Sequence, residues 1–210
     1  MFSIKYPLQY RFCFKIFQIF LKNSFKDSCL VLYYRIVKQK KKKDDPYFMS
    51  FIAVTDYKMG NLLNVSKALK AVGAEIRIAA KPEDVRGASG MVLPGVGNFG
   101  EAMEHLQESG FIPLIKTWIA EDRPFLGICL GMQMLMESSE EAPGVAGIGV
   151  FPGTVKRFPG GREKIPHMGW NTVDVRNNND FLNGLPRDPS FYFVHSYYVE
   201  TDCNEIIAAT

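Results

Sequence analysis

The ten residues from Pro124 to Gln133, PFLGICLGMQ, decide the fold. An apolar run leads into Gly127-Ile128-Cys129-Leu130-Gly131, and a buried strand that passes directly into a helix in this way is the sequence form of a nucleophile elbow, with cysteine in place of serine. The glycines are needed because the turn strains its central residue and brings the flanking positions against neighbouring backbone. The pattern predicts that Cys129 is a nucleophile whose thiolate is favoured by the start of the helix. The alternative is a structural cysteine buried at a tight turn.

The segment before the elbow alternates short apolar runs with helical periodicity. Strands are predicted at residues 51–57, 75–79, 91–93 and 124–128. A helical face made by Leu62, Val65 and Leu69 follows the first strand, Gly73 closes that helix, and two more helical stretches lie within residues 102–120. This βαβ repetition predicts an α/β fold with a mainly parallel sheet between helices.

The segment after Gly144 has a different character. Helical periodicity fades there, and strand-like pieces appear at residues 148–158, 170–175 and 190–200. We therefore expect a strand-rich second half.

Charge divides the chain of 210 residues into two parts. Residues 1–48 contain 11 Lys and Arg against 3 Asp and Glu, whereas the remainder contains 14 against 19. A basic patch confined to one flank gives no general case for nucleic-acid binding. We interpret residues 1–48 as an extension that folds with nothing and residues 49–210 as one domain. Met49 stands just before the first predicted strand and is an alternative start of translation.

The alternative for the extension is a basic, aromatic segment lying on an anionic membrane surface. Its apolar stretches are far shorter than the roughly 20 residues that span a bilayer. It also lacks a signal-peptide cleavage site and the composition of a transit peptide. We expect no membrane association.

The cysteines give no sign of a metal site or a disulfide framework. Cys13, Cys29, Cys129 and Cys203 are far apart, with no C-x-x-C pair and no histidine at metal-ligand spacing. A reducing cytoplasm is the expected location.

A second glycine-rich turn precedes the elbow. The stretch from Pro94 to Gly100, PGVGNFG, contains G-x-G-x-x-G between a strand and a helix. A dinucleotide site is disfavoured because the turn follows the third strand, and the next strand ends in Cys129 where an acidic ribose ligand would be expected. Such a loop can instead direct backbone N–H groups toward a developing negative charge, as an oxyanion hole requires.

These residues resemble the class I glutamine amidotransferases, in which a G-x-C-x-G elbow faces a Pro-Gly-rich oxyanion loop. They resemble most closely the glutaminase subunits of imidazole glycerol phosphate synthase, from histidine biosynthesis. The resemblance runs from about Met49 to the end and rests on four motifs: PGVG at 94–97, GICLGMQ at 127–133, PHMGWN at 166–171 and FVHSY at 193–197.

The resemblance implies a reaction and a partner. Cys129 would attack the side-chain amide of L-glutamine, release ammonia and form a glutamyl thioester, from which water frees glutamate. The ammonia would pass into a cyclase subunit with a (β/α)8 barrel, which makes imidazole glycerol phosphate and AICAR. No metal and no organic cofactor are implied for this chain.

The resemblance also assigns roles residue by residue. Backbone N–H groups of the oxyanion hole would come from Gly95, Val96, Gly97 and Leu130. Glutamine would be bound by Gln133, Glu141, His195, Ser196 and Tyr197. The cyclase would dock on Asn61, Asn64, Pro166, His167, Met168, Gly169, Trp170 and Asn171. Without the resemblance, Met168 and Trp170 would be interpreted as core residues.

Two features depart from the family pattern. The family's general base and its orienting acid lie in a terminal Phe-His-Pro-Glu motif, which does not occur before Thr210, so we expect that a C-terminal segment is missing. His195 is the alternative base, although the resemblance places it in the glutamine pocket. Lys58 stands where the family usually has glycine, and it would strain its loop if the position requires a positive φ.

Two other functions remain open from the residues alone. One is a glutamine-binding or docking subunit that is catalytically impaired because the histidine and glutamate of the triad are absent. The other is a cysteine hydrolase of another class, such as a peptidase. Glutamate release in the presence of a cyclase subunit separates the glutaminase from the non-catalytic subunit.

Overall fold

A parallel sheet forms the centre of the computed structural model, which describes residues 16–17, 51–161, 164–174, 190–201 and 208–209. Its strands are β1 (Ile16–Phe17), β2 (Ile52–Thr55), β3 (Ile76–Ala79), β4 (Gly90–Leu93) and β5 (Phe125–Ile128). They lie in the order β1-β5-β4-β2-β3, and every neighbouring pair is parallel. The predicted α/β fold with a mainly parallel sheet is therefore confirmed.

Helices cover both faces of this sheet. They are α1 (Leu62–Ala71), α2 (Phe99–Glu108) and α3 (Phe111–Ala120). Ile52 and Val54 of β2 pack with Leu69 of α1, whereas Phe51 and Ala53 pack with the buried residues of α2 and α3. Because successive strand residues point to opposite faces, β2 is buried on both sides, which explains its uninterrupted apolar sequence.

Polar caps and glycines set the ends of the helices. The side chains of Asn61 and Asn98 accept hydrogen bonds from the first-turn N–H groups of α1 and α2. Gly73 (φ 84°) follows the end of α1, as predicted, and Gly110 (φ 73°) separates α2 from α3. The predicted helical stretch began at residue 102, but α2 begins at Phe99 because Asn98 caps it.

The second half is strand-rich, as predicted. The one-turn helix α4 (Leu130–Gln133) is followed by β6 (Ser138–Ser139), β7 (Thr154–Arg157), β8 (His167–Asp174), β9 (Ser190–His195), β10 (Tyr197–Glu200) and β11 (Ala208–Ala209). They form two three-stranded sheets, β10-β7-β6 and β11-β8-β9. The prediction of a strand from residue 148 is wrong in its first part, because Gly149 (φ 66°) and Gly153 (φ 133°) turn the chain before β7.

The predicted extension, residues 1–48, lies outside the described residues apart from β1. This strand pairs with the edge of β5, with Ile16 opposite Gly127. Among the helices of the described ranges, none has the length and apolar character needed to cross a bilayer.

A topological switch point lies at the carboxyl ends of β2 and β4. The strand order reverses there, since β3 pairs with one side of β2 and β4 with the other. Open parallel sheets bind ligands at such a switch point. The loops at residues 56–61 and 94–98 and the turn at Cys129 all leave the sheet at this edge.

One residue of the loop at 56–61 has an unusual backbone conformation. Lys58 has a φ of 69°, in the left-handed region that favours glycine, and its N–H donates to Asp56 Oδ1 at 3.1 Å. The position therefore requires a positive φ. The exposed Lys58 side chain offers no compensating burial.

We predict that Lys58→Gly raises the free energy of unfolding by about 0.5–1 kcal/mol, because relief of left-handed strain exceeds the added chain entropy of glycine. Denaturant titration of the full chain measures the change. Lys58→Ala is the matched control and should stay near the parent, because alanine keeps the Cβ. A Lys58→Gly protein less stable than Lys58→Ala would contradict the interpretation.

Candidate active site

Cys129 occupies the turn between β5 and α4 in a conformation rare for a residue with a side chain. Its φ is 54° and its ψ is −117°. Backbone conformations of this kind cost about 1–3 kcal/mol and persist only where surrounding structure imposes them. The thiol is held at the carboxyl edge of the sheet, half-buried. This is the geometry of a nucleophile elbow.

The two glycines that flank the turn are required by close backbone contacts. A Cβ on Gly131 would lie 2.0 Å from the carbonyl oxygen of Leu93, at the end of β4. A Cβ on Gly127 would lie 2.8 Å from Cα of Met132. Neither neighbour is the flexible end of a side chain, so larger residues would push strand and helix apart.

The predicted oxyanion loop lies directly on the elbow. A Cβ on Gly95 would lie 2.4 Å from the Gly131 nitrogen. The next residues, Val96 and Gly97, are exposed, and Gly97 has a φ of 102°. The base of the loop is thus wedged against α4, while its tip faces solvent.

Burial dominates the acidity of the thiol. Burial raises the pKa of Cys129 and is the largest effect. The Leu130 N–H donates a hydrogen bond to the sulfur and lowers this pKa, whereas the charge of the nearby Glu141 carboxylate raises it. The expectation that the helix start would favour the thiolate is therefore outweighed. Because α4 is a single turn, its end contributes little beyond that one N–H.

Glu141 links the thiol to the oxyanion loop. Its Oε2 accepts a hydrogen bond from the Phe99 N–H at 2.9 Å, at the start of α2, while its charge acts on Cys129. The Glu141 N–H donates to Ser139 Oγ at 3.2 Å, which holds this residue in place. Within the described residues, Oε1 has no hydrogen bond of this kind.

Gln133 and His195 both hydrogen-bond to the backbone carbonyl of Tyr197. Gln133 Nε2 donates to the Tyr197 carbonyl at 3.4 Å, and His195 Nδ1 donates to the same carbonyl at 2.9 Å. The Ser196 carbonyl accepts from the Phe158 N–H at 3.0 Å. Three of the five predicted glutamine-binding residues thus share one backbone carbonyl as their meeting point.

The histidines form a pair away from the thiol. A carbonyl only accepts, so His195 carries its hydrogen on Nδ1, and His167 Nδ1 donates to its Nε2 at 3.0 Å. Burial lowers the pKa of His195 and is the largest effect. The bond to the Tyr197 carbonyl raises this pKa, and His167 lowers it. The net lowering favours the neutral form. His105 lies on α2 beside Glu108. In the described part of the chain, no histidine hydrogen-bonds to Cys129.

The strands β8 and β9 present two different faces. Met168 (60% exposed), Trp170 (41%) and Val194 (38%) lie on the outer face, where Trp170 packs edge-on against Tyr192. His167 and His195 lie on the inner face with the buried Phe193. The interpretation of Met168 and Trp170 as core residues is therefore wrong.

The remaining predicted docking residues do not lie on that outer face. Gly169 and Asn171 share the inner face with His167, Asn61 caps α1 and Asn64 lies on it. Asn61, Asn64 and Pro166 are exposed, Asn171 is half-buried, and Gly169 (φ 151°) has open space at its Cβ position. Sequence reasoning missed three apolar neighbours of these residues: Leu63 (65% exposed), Tyr192 and Val194. The alternation of side chains along β9 was the signal that could have identified Tyr192 and Val194.

Sequence reasoning also missed Tyr57, whose buried hydroxyl donates to the Pro94 carbonyl at 2.7 Å. No local signal was available, because the two residues are 37 positions apart in the sequence. Within the described residues, no group of three or more His, Cys, Asp or Glu side chains is arranged to hold a metal ion.

A strained cysteine that faces a glycine-rich loop, with a carboxylate beside the thiol, defines a thiol-dependent acyl-transfer site. The family model for class I glutamine amidotransferases matches residues 53–210. A crystal structure of a glutamine amidotransferase superposes with a TM-score of 0.56 at 19% identity, over 70% of this chain and 72% of that one, which shows the shared fold.

Curated relatives narrow the family further. The imidazole glycerol phosphate synthase subunit HisH of Halalkalibacterium halodurans is 44% identical over 164 residues, 76% of this chain and 77% of that protein. HisH of Moorella thermoacetica is 45% identical over 159 residues, 76% and 75% of the two chains. HisH of Thermosynechococcus vestitus is 49% identical over 163 residues, 76% and 77%. This chain belongs to the class I glutamine amidotransferases, and within them to the HisH subunits of imidazole glycerol phosphate synthase.

We predict that Glu141→Gln lowers the pKa of Cys129, because the glutamate charge disfavours the thiolate and a neutral amide does not. Glutamine keeps an oxygen that accepts from Phe99. Alkylation of Cys129 by iodoacetamide, followed across pH by peptide mass spectrometry, should be half-maximal at lower pH than in the parent. Glu140→Gln removes a neighbouring carboxylate that does not act on the thiol, and an equal shift in that variant would contradict the assignment.

Proposed function

We propose that this chain hydrolyses L-glutamine to glutamate and ammonia as the glutaminase subunit of an imidazole glycerol phosphate synthase. The observation that carries the proposal is the left-handed Cys129 at the elbow, with the Leu130 N–H at its sulfur and the Gly95 backbone packed against Gly131. A strained, glycine-flanked thiol of this kind has no evident use in packing. Family membership supports the choice of glutamine as substrate.

In the proposed reaction, the Cys129 sulfur attacks the side-chain amide carbon of glutamine. The tetrahedral oxyanion receives hydrogen bonds from Leu130 and from the Gly95–Gly97 loop, and loss of one such donor typically costs about 10²–10³ in rate. The C–N bond then breaks, the nitrogen takes up a proton and leaves as ammonia, and a thioester remains. Water attacks the thioester, giving glutamate and the free thiol.

The substrate's α-amino and α-carboxylate groups would lie between Gln133, Glu141 and the segment from His195 to Tyr197. The free oxygen of Glu141 suits the ammonium group. Because Glu141 also acts on Cys129, a bound ammonium group would offset part of the charge that raises the thiol's pKa. Substrate binding would thereby favour the nucleophilic thiolate.

A second candidate function is a glutamine-binding or docking subunit without turnover. It is favoured by one observation: the raised pKa of Cys129 calls for a proton acceptor, whereas His167 and His195 are bonded to each other and His105 lies on α2. A thiol without a base can bind substrate but turns it over slowly.

The proposed partner is a cyclase subunit that docks on the outer face of β8 and β9 and on the start of α1. The exposed Met168, Trp170 and Leu63 give this surface the aromatic and apolar anchors typical of interface centres. Ammonia released at Cys129 would pass to the cyclase. We also propose a cytoplasmic location, because a cysteine nucleophile needs a reducing compartment to remain a thiol.

We predict that the full chain, mixed with a cyclase subunit, releases glutamate from glutamine, and that Cys129→Ala abolishes the release. An enzyme-coupled glutamate assay measures it. A diazoketone analogue of glutamine should label Cys129, and excess glutamine should block the labelling.

Labelling of Cys129 without glutamate release would favour the second candidate. Failure of the analogue to label Cys129 at all would refute the nucleophile assignment. Loss of turnover in His195→Ala at saturating glutamine, with binding retained, would identify His195 as the base.

We predict that Trp170→Ala weakens cyclase binding by about 30-fold or more, because a tryptophan at an interface centre typically contributes about 2 kcal/mol or more. Calorimetric titration of the two subunits measures the affinity. Ile78→Ala, which truncates an exposed apolar residue on β3, is the control. Equal weakening by both substitutions would contradict the placement of the interface at Trp170.

A further inference from the structure

Tyr57 connects the end of β2 to the base of the oxyanion loop. Its side chain is 1% exposed, and its hydroxyl donates to the carbonyl of Pro94, the first residue after β4, at 2.7 Å. Proline has no N–H, so this carbonyl is the only hydrogen-bonding group of its backbone. A buried tyrosine hydroxyl committed to that carbonyl controls the first peptide of the loop.

Through the Pro94–Gly95 peptide bond, this contact fixes the orientation of the Gly95 N–H. A peptide unit is planar, so holding the carbonyl oxygen also sets the direction of the Gly95 N–H and the starting angle of the loop. On its other side, Gly95 is pressed against Gly131, where a Cβ would lie 2.4 Å from the nitrogen. The peptide is thus held between Tyr57 and the elbow.

At the far end of the loop, the Phe99 N–H donates to Glu141, and the tip lies between these two anchors. Val96 and Gly97 are exposed, and Gly97 has the positive φ of a residue that can turn freely. The loop therefore has an anchored base and a tip that is free to adjust.

Electrostatics place the phenol close to the nucleophile. Burial raises the pKa of Tyr57 far above that of a free phenol, and the charge of Cys129 raises it further. The raised pKa favours the protonated phenol, which is the form that donates to Pro94. Its proton serves the loop, so it is not available as a general acid.

We propose that Tyr57 is a positioning residue that sets the oxyanion loop at the distance from Cys129 needed to stabilise the tetrahedral intermediate. The inference rests on the proposed glutaminase function. It assigns Tyr57 no contact with substrate: its effect reaches the reaction through the Pro94–Gly95 peptide.

Thr55 offers a matched control within the same pair of strands. Its Oγ1 donates to the Val92 carbonyl at 3.1 Å, so it is also a buried bond from β2 to β4. Thr55→Val and Tyr57→Phe each remove one hydroxyl and keep the shape of the side chain. Only the second bond ends on the oxyanion loop.

The test uses two reactions of Cys129 in the full chain with a cyclase subunit present. In the first, a γ-glutamyl nitrophenyl ester acylates the sulfur: the S–C bond forms through an oxyanion, the C–O bond breaks, and nitrophenolate leaves without needing a proton. In the second, iodoacetamide alkylates the same sulfur by displacement of iodide, with no oxyanion. Only the first reaction depends on the position of the loop.

We expect Tyr57→Phe to slow acylation about 10- to 100-fold, the range of cost of misplacing a catalytic group by up to an ångström, while alkylation of Cys129 stays within about twofold of the parent. Thr55→Val should leave both rates near the parent. Thermal unfolding should show that the two variants lose similar stability, so that folding does not explain the difference.

Three results would overturn the inference: acylation of Tyr57→Phe at the parental rate, equal slowing by Thr55→Val, or equal slowing of acylation and alkylation. A parent chain that the ester does not acylate at Cys129 would overturn the proposed function itself, and the role of Tyr57 with it. An acylated parent with an unaffected Tyr57→Phe would refute only the role of Tyr57.

Discussion

Backbone lies directly against backbone where the elbow meets the end of β4, and the geometry of the whole site depends on this contact. At Gly131 and at Gly95 there is no room for even a Cβ. The helix after β5 and the loop after β4 therefore cannot move apart without losing packing on both sides. The thiol and the proposed donors at Leu130 and Gly95 are positioned by main chain, which gives the rigid arrangement that stabilisation of a transition-state charge requires.

The close packing around Cys129 also disfavours its thiolate. It removes water from the sulfur, and the loss of solvation outweighs the one N–H that favours the thiolate. Glu141 adds to the cost while its other task, accepting from Phe99, ties it to the loop. The raised pKa leaves a smaller fraction of Cys129 as thiolate than in a free cysteine, and in the proposed reaction the substrate's ammonium group would offset part of this cost.

Local pattern predicted the fold and the elbow because both arise from residues that are neighbours in sequence. The alternation in β2, the periodicity of α1 and the glycines around Cys129 are of this kind. The bond from Tyr57 to Pro94 joins residues 37 positions apart and leaves no local signature. The sign of the Cys129 pKa shift depends on burial in the assembled fold. The prediction of a strand from residue 148 failed because apolar residues packed around turns at Gly149 and Gly153 look the same as strand residues.

The ribbon made by β8 and β9 is one chain layer thick, and its residues alternate between an exposed outer face and a face turned to the histidine pair. Substitutions can therefore change one face while leaving the other intact. An insertion or deletion of a single residue cannot, since it would exchange Trp170 for its inward-facing neighbours and disturb both surfaces together. Along this ribbon, a replacement therefore preserves the separation of the two faces, whereas a one-residue change of length abolishes it.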